Sequence, residues 1–160
     1  MTRTHVLVDL DGTISNSLPG IAESLQYAFN ACGYEPPTDE AVRSIIGPPF
    51  EVSFTILGVP VADMAPVVYK YRERYNDIGL FENEMYAGVP EMLESLIDSG
   101  LSLALATAKP EAVARRITAH FGVDERFVFE AGASTALGDE RRTKAQVITY
   151  CLGELGITAG

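Results

Sequence analysis

The chain has 160 residues and a mass of 17.3 kDa, the size of one compact domain or of one core carrying a modest insertion. Its 47% hydrophobic and 21% charged content is that of an ordinary folded protein and excludes a disordered or fibrous chain. With 12 basic against 22 acidic side chains the net charge is −10, which repels phosphate backbones and argues against nucleic-acid binding, so an anionic ligand needs a local reversal of sign.

Residues 5–10, HVLVDL, form a short β-branched and leucine-rich run ending in a polar turn, the pattern of a buried parallel strand. The run is too brief for a secretory signal core or a membrane span, and no other stretch approaches span length. A cytoplasmic chain with no membrane partner is therefore expected. From Ser17 to about Leu80 the periodicity is helical. Ile21, Leu25, Ala28 and Phe29 share one face of a first helix that stops near Cys32 and Gly33. Pro36 and Pro37 interrupt the chain. A second helix over 39–46, capped by Thr38 or Asp39, ends at Gly47-Pro48-Pro49, and two more are expected over 51–57 and 62–77. Tyr69, Tyr71 and Tyr75, with Arg72 and Arg74, read as packing and solvated charge rather than as a binding stripe.

Beyond Pro90 helix and strand alternate: helix 91–99, strand 101–106, helix 110–120, strand 127–130, helix 143–155. That alternation predicts right-handed βαβ crossovers and a parallel sheet. The fold class is then α/β, with a Rossmann-like core over 1–16 and 81–160 and an all-helical insertion over 17–80. Cys32 and Cys151 lack metal-ligand spacing and read as reduced, buried thiols. His5 and His120 have no partners at metal or triad spacing.

The most specific feature is Asp9-Leu10-Asp11-Gly12-Thr13 at the tip of the first strand. Two carboxylates at i and i+2 repel and are costly to desolvate unless they do chemistry. One can attack phosphorus to form an aspartyl-phosphate, while the other delivers a proton to the leaving oxygen. Gly12 permits a sharp turn. Thr107 ends the second strand before an expected helix N-terminus, where a hydroxyl and free N–H groups hold a phosphate oxygen. Arg43, one helical turn before Gly47, is a candidate for contact with a substrate anion.

DLDGT at the first strand tip resembles the nucleophile motif of the haloacid dehalogenase superfamily, and the order of elements agrees. The resemblance implies Asp9 as nucleophile and Mg²⁺ ligand, and Asp11 as general acid/base and, through its carbonyl, a second metal contact. A helical insertion after the first strand is similar to the C1-capped branch. Ile46-Gly47-Pro48-Pro49-Phe50 and Ala106-Thr107-Ala108-Lys109-Pro110 resemble phosphoglycolate phosphatase-like and 5′-nucleotidase-like members. The likeness implies that Thr107, Ala108, Lys109 and the Leu10 and Asp11 N–H groups bind phosphate. Gly47, Pro48 and Phe50 would form a stiff loop that excludes water and reads the leaving group. Lys144 matches the third-motif lysine that neutralises phosphate and orients the nucleophile, and with Arg141 it resembles an Arg-x-x-Lys form. The expected activity is Mg²⁺-dependent hydrolysis of a small phosphorylated metabolite; oligomeric state is not legible.

The family's fourth motif, an acidic pair completing the Mg²⁺ shell, belongs after a further strand. Gly138-Asp139 imitates it but precedes Lys144 and reads as a loop. Because the sequence stops at Gly160, where that strand would begin, these residues are expected to be part of a longer chain, and the first strand to keep an unpaired edge. Asn16 stands where relatives often carry Asp. Two alternatives stay open: a β-phosphoglucomutase-like phosphotransferase, which keeps both Asp residues, and a non-catalytic phosphate-binding or interaction protein.

Overall fold

The computed structural model describes residues 4–46, 50–136, 139 and 141–157; the side chains of Phe50 and Glu51 lie outside the described set. In chain order the elements are β1 (His5–Val8), β2 (Ser15–Asn16), α1 (Leu18–Ala31), α2 (Asp39–Ser44), α3 (Phe50–Ile56) and a 3₁₀ turn (Val61–Asp63). Then come α4 (Met64–Arg74), a π turn (Tyr75–Gly79), β3 (Glu84–Met85), α5 (Val89–Asp98) and β4 (Ser102–Pro110). The chain continues with α6 (Glu111–Phe121), a 3₁₀ turn (Asp124–Arg126), β5 (Phe127–Ala133) and α7 (Lys144–Glu154). It divides into an α/β unit, Met1–Ser15 with Met85–Gly160, and a helical unit, Asn16–Glu84. Among the described residues no helix is long and apolar enough to cross a membrane.

The α/β unit is built on a parallel sheet ordered β1-β4-β5, so β1 has β4 as its neighbour at one end of that sheet. Leu103, Ala104, Leu105 and Ala106 are all buried in the middle strand, as expected for a strand covered on both faces. Small side chains decide the packing on one face. Ala104, Ala106, Ala131 and Ala133 form one cluster with Val147 and Cys151 of α7, bringing that helix against β4 and β5. Gly132 is required by contact: a Cβ there would lie 2.5 Å from the Glu111 Cα.

β4 and β5 run past their expected ends at 106 and 130. Pro110 pairs with Ala133 after a register shift beyond Ala106; lacking an N–H, proline is tolerated at such an irregular strand end. Helix α6 therefore starts at Glu111, and α5 starts at Val89 rather than 91.

In the helical unit the anticipated face of α1 is buried: Ile21, Leu25, Ala28 and Phe29. Thr38, not Asp39, caps α2, its hydroxyl accepting from the Ala41 N–H at 3.3 Å. Phe29 stacks with Phe54, Phe54 meets Tyr71 edge-on, and Tyr71 stacks on Tyr75 at 5.3 Å. Tyr71 and Tyr75 are thus core, whereas Tyr69 is 65% exposed. Arg74, expected as solvated charge, instead donates twice to Glu82, at 2.7 and 2.9 Å, and once to Ser24. Cys32 is half-buried rather than buried.

The single helix expected over 62–77 is divided in three. The Leu80 N–H reaches the Tyr75 carbonyl at 2.9 Å, five residues back, which widens the last turn into π geometry. There the backbones of α1 and the π turn touch: a Cβ on Gly20 would lie 1.8 Å from the Gly79 carbonyl oxygen. Gly20→Ala is expected to destabilise the protein by about 1–3 kcal/mol, the range for forcing added volume into a packed core. An unchanged thermal unfolding midpoint would show that this approach is not required.

Candidate active site

Asp9 follows the last residue of β1, so strand and turn alone place it at the carboxyl edge of the sheet, where parallel α/β folds bind ligands. Leu10, fully buried, then turns the chain. Its carbonyl accepts the N–H groups of Thr13, Ile14 and Ser15, and the Gly12 N–H reaches the Ser15 carbonyl at 2.9 Å. Gly12 has φ of +75°, a conformation that strains any residue carrying a Cβ. This turn presents Asp11 while keeping its neighbour in the core.

Each acid has its own lysine. Lys144 Nζ lies 2.5 Å from Asp9 Oδ2 and donates to the Ala106 carbonyl at 2.7 Å, joining the tip of β1 to β4. Asp9 Oδ1 accepts from the Leu10 N–H at 2.8 Å, so that N–H, expected to face phosphate, is engaged by the neighbouring carboxylate here. Lys109 Nζ donates to both carboxylate oxygens of Asp11, at 3.1 and 2.8 Å, with Lys109 7% and Asp11 18% exposed. Asp9, 37% exposed, is the more open acid.

Thr107 is buried, and its hydroxyl accepts from the Lys109 N–H at 3.3 Å. It does not sit just before a helix, as the sequence suggested; β4 continues through Ala108 and Lys109 to Pro110. The irregularity there re-aims the side chains of 107–109, and it directs Lys109 onto Asp11.

Lys144 is the first residue of α7. Thr143 and Gln146 form a capping box, each accepting from the other's backbone N–H, which fixes where the helix starts. Asp139 lies in irregular chain between β5 and α7 and accepts from the Arg141 N–H at 2.9 Å. That bond, followed by the Ser134 hydroxyl, holds its carboxyl below the usual range; Gly138 is outside the described residues.

Asp9, Asp11, Thr107, Ala108, Lys109 and Lys144 all belong to the α/β unit. Arg43 is exposed in the last turn of α2, in the helical unit. Gly47, Pro48 and the Phe50 side chain fall outside the described residues. Local pattern missed the Ala106 carbonyl and the pairing of Lys109 with Asp11, because both depend on contacts between distant parts of the chain.

Among the described residues no group of three or more His, Cys, Asp or Glu is arranged to hold a metal. The donors at the β1 tip nevertheless suit Mg²⁺, which takes hard oxygens and commonly uses one or two carboxylates with waters and substrate phosphate. Asp9 offers an accessible carboxylate. Asp11, its side chain held by Lys109, would offer its main-chain carbonyl.

A family model described as haloacid dehalogenase-like hydrolase matches residues 6–160. The 5′-nucleotidase of Pseudomonas aeruginosa is 36% identical over 156 residues, covering 97% of this chain and 70% of that protein. Tyrosine-protein kinase PtkA of Mycobacterium tuberculosis is 35% identical over 150 residues, 94% of this chain but 50% of its own length. A crystal structure of a predicted phosphatase from Clostridium acetobutylicum superposes with a TM-score of 0.89 at 31% identity, covering 99% of this chain and 73% of that one.

Thr143→Ala is expected to lower stability by about 1 kcal/mol through loss of the cap, read as a lower unfolding midpoint. No change would mean that the box does not hold the start of α7.

Proposed function

The chain belongs to the haloacid dehalogenase-like hydrolase family, and from that premise we propose that it is a Mg²⁺-dependent phosphatase hydrolysing small phosphate monoesters of the 5′-nucleotide or phosphoglycolate type. The observation that carries the reading is the separate pairing of Asp9 and Asp11 with two lysines at the carboxyl edge of the sheet. Asp9 attacks phosphorus in line and the ester oxygen leaves with a proton from Asp11, giving an aspartyl-phosphate. Asp11 then takes a proton from the water that hydrolyses the acyl-phosphate. Lys144, seated on Asp9, orients the nucleophile and meets phosphoryl charge, with Thr107 as a further donor.

The charge balance supports a metal. With Asp11 carrying the proton it donates, Asp9 and the two lysines leave one net positive charge, so a phosphate dianion still leaves excess negative charge for a metal to offset. Asp9 and the Asp11 carbonyl would hold Mg²⁺, whose chemistry is neutralisation of charge on the phosphoryl oxygens. Substrate selection is assigned in this reading to the helical unit, through Arg43, Gly47, Pro48 and Phe50. A cytoplasmic setting fits the free Cys32 and Cys151. The phosphoglucomutase-like and non-catalytic alternatives are not favoured beside the hydrolase match.

Asp9→Asn is expected to abolish phosphate release from p-nitrophenyl phosphate, and chelation with EDTA to stop it until Mg²⁺ is restored. Near-normal turnover by Asp9→Asn would overturn the assignment. Lys109→Met, which frees the Asp11 carboxylate, is expected to lower kcat/KM more for an alkyl monoester than for p-nitrophenyl phosphate, whose leaving group needs little protonation. Equal losses on both would place Lys109 on the phosphate rather than on the acid.

A further inference from the structure

The chain three residues before Lys144 is held from several sides. Arg141 Nη1 donates to Glu111 Oε2 at 2.9 Å, and Glu111 is the first residue of α6. The guanidinium carbon lies 3.9 Å over the ring of Tyr150 in α7. The Arg141 carbonyl accepts from Ser134 just beyond β5 at 2.7 Å, and its N–H donates to Asp139. Glu111 also receives the Gly132 N–H at 3.4 Å and faces Arg115 at 3.5 Å. One side chain thus ties α6 and α7, and its backbone ties in the end of β5.

A surface arginine does not need such a bracket. The Arg141 side chain is 16% exposed, and its Nε is buried with no hydrogen-bond partner among the described residues. An orphaned buried donor is destabilising, a cost set against the Glu111 ion pair and the Tyr150 ring contact. A flat cation held between a carboxylate and an aromatic face does define an orientation, which a lysine with its flexible stem cannot reproduce.

We infer that Arg141, clamped by Glu111 and Tyr150, is a positioning residue that sets Lys144 against Asp9. The inference rests on the reading of Lys144 and Asp9 given above and extends it to three residues that touch neither. Loosening the bracket lets the start of α7 shift, and displacement of a charged group by about 1 Å is enough to lose much of a rate.

The test is turnover of p-nitrophenyl phosphate with Mg²⁺ by the full-length protein. In Arg141→Met kcat is expected to fall about 10–100-fold, as when a group orienting an active-site ligand is lost, with KM nearly unchanged. Arg141→Lys does not restore the rate, whereas Tyr150→Phe, which keeps the ring face, does not lose it. On a Lys144→Met background Arg141→Met is expected to add nothing, because both act through the same contact.

Wild-type kcat in Arg141→Met beside an impaired Lys144→Met overturns this inference alone. A full extra loss on the Lys144→Met background also overturns it, since Arg141 would then act by another route. Normal turnover by Lys144→Met overturns the reading of the site and this inference together. Should Arg141→Met not fold, Glu111→Gln carries the test: it keeps the size and removes the charge, and wild-type kcat there overturns the bracket.

Discussion

Two like charges at Asp9 and Asp11 cannot be left to themselves at the end of β1. That strand is only partly buried over His5, Val6 and Leu7, not buried throughout as its sequence pattern predicts, because β4 is its one neighbour in the described sheet. Asp9 and Asp11 each need a cation close by, and a chain with a net charge of −10 does not supply one by accident. Two distant parts of the sequence provide them: Lys109 from the end of β4 and Lys144 from the start of α7. The arrangement of the sheet edge follows from that requirement. Lys144 meets it only if α7 starts at that residue, and Lys109 only if β4 runs on past Ala106.

The core packing allows both. Alanines in β4 and β5 give α7 a shallow surface, so Val147 and Cys151 seat closely and the first turn of the helix reaches the strand ends. The register shift beyond Ala106 lets β4 continue while changing the direction of its side chains. The tight turn around the Leu10 carbonyl does the same for Asp11. Of the two register shifts between β4 and β5, the one beyond Ala106 lies beside the two acids and the other, between Leu103 and Ala104, lies within the strand body.

Much of this was legible because some signals are local. Asp9 and Asp11 at i and i+2 after an apolar run, Gly12 at a left-handed turn, and the alternation beyond Pro90 each follow from a few consecutive residues. So does the apolar face of α1. Other features escape local pattern for physical reasons. Pro110 looked like a helix start, yet its missing N–H also suits an irregular strand end. Arg74 looked solvated because Glu82, eight residues on, gives no periodic signal. Tyr69 and Tyr71 look alike in sequence and differ only in the side of α4 they occupy.

The amino-acid sequence by itself determined the α/β class and two acids at a strand tip within a recognisable family pattern, because periodicity and short-range spacing are properties of the chain alone. Only the tertiary structure decided which lysine serves which acid, that the Ala106 carbonyl steadies Lys144, and that Glu111 and Tyr150 grip Arg141. Apart from the Arg141–Tyr150 contact, whose residues lie nine positions apart, those contacts join residues 30 to 135 positions apart, and a charge finds such a partner only when packing has already brought the elements within the few ångströms over which a hydrogen-bonded ion pair forms.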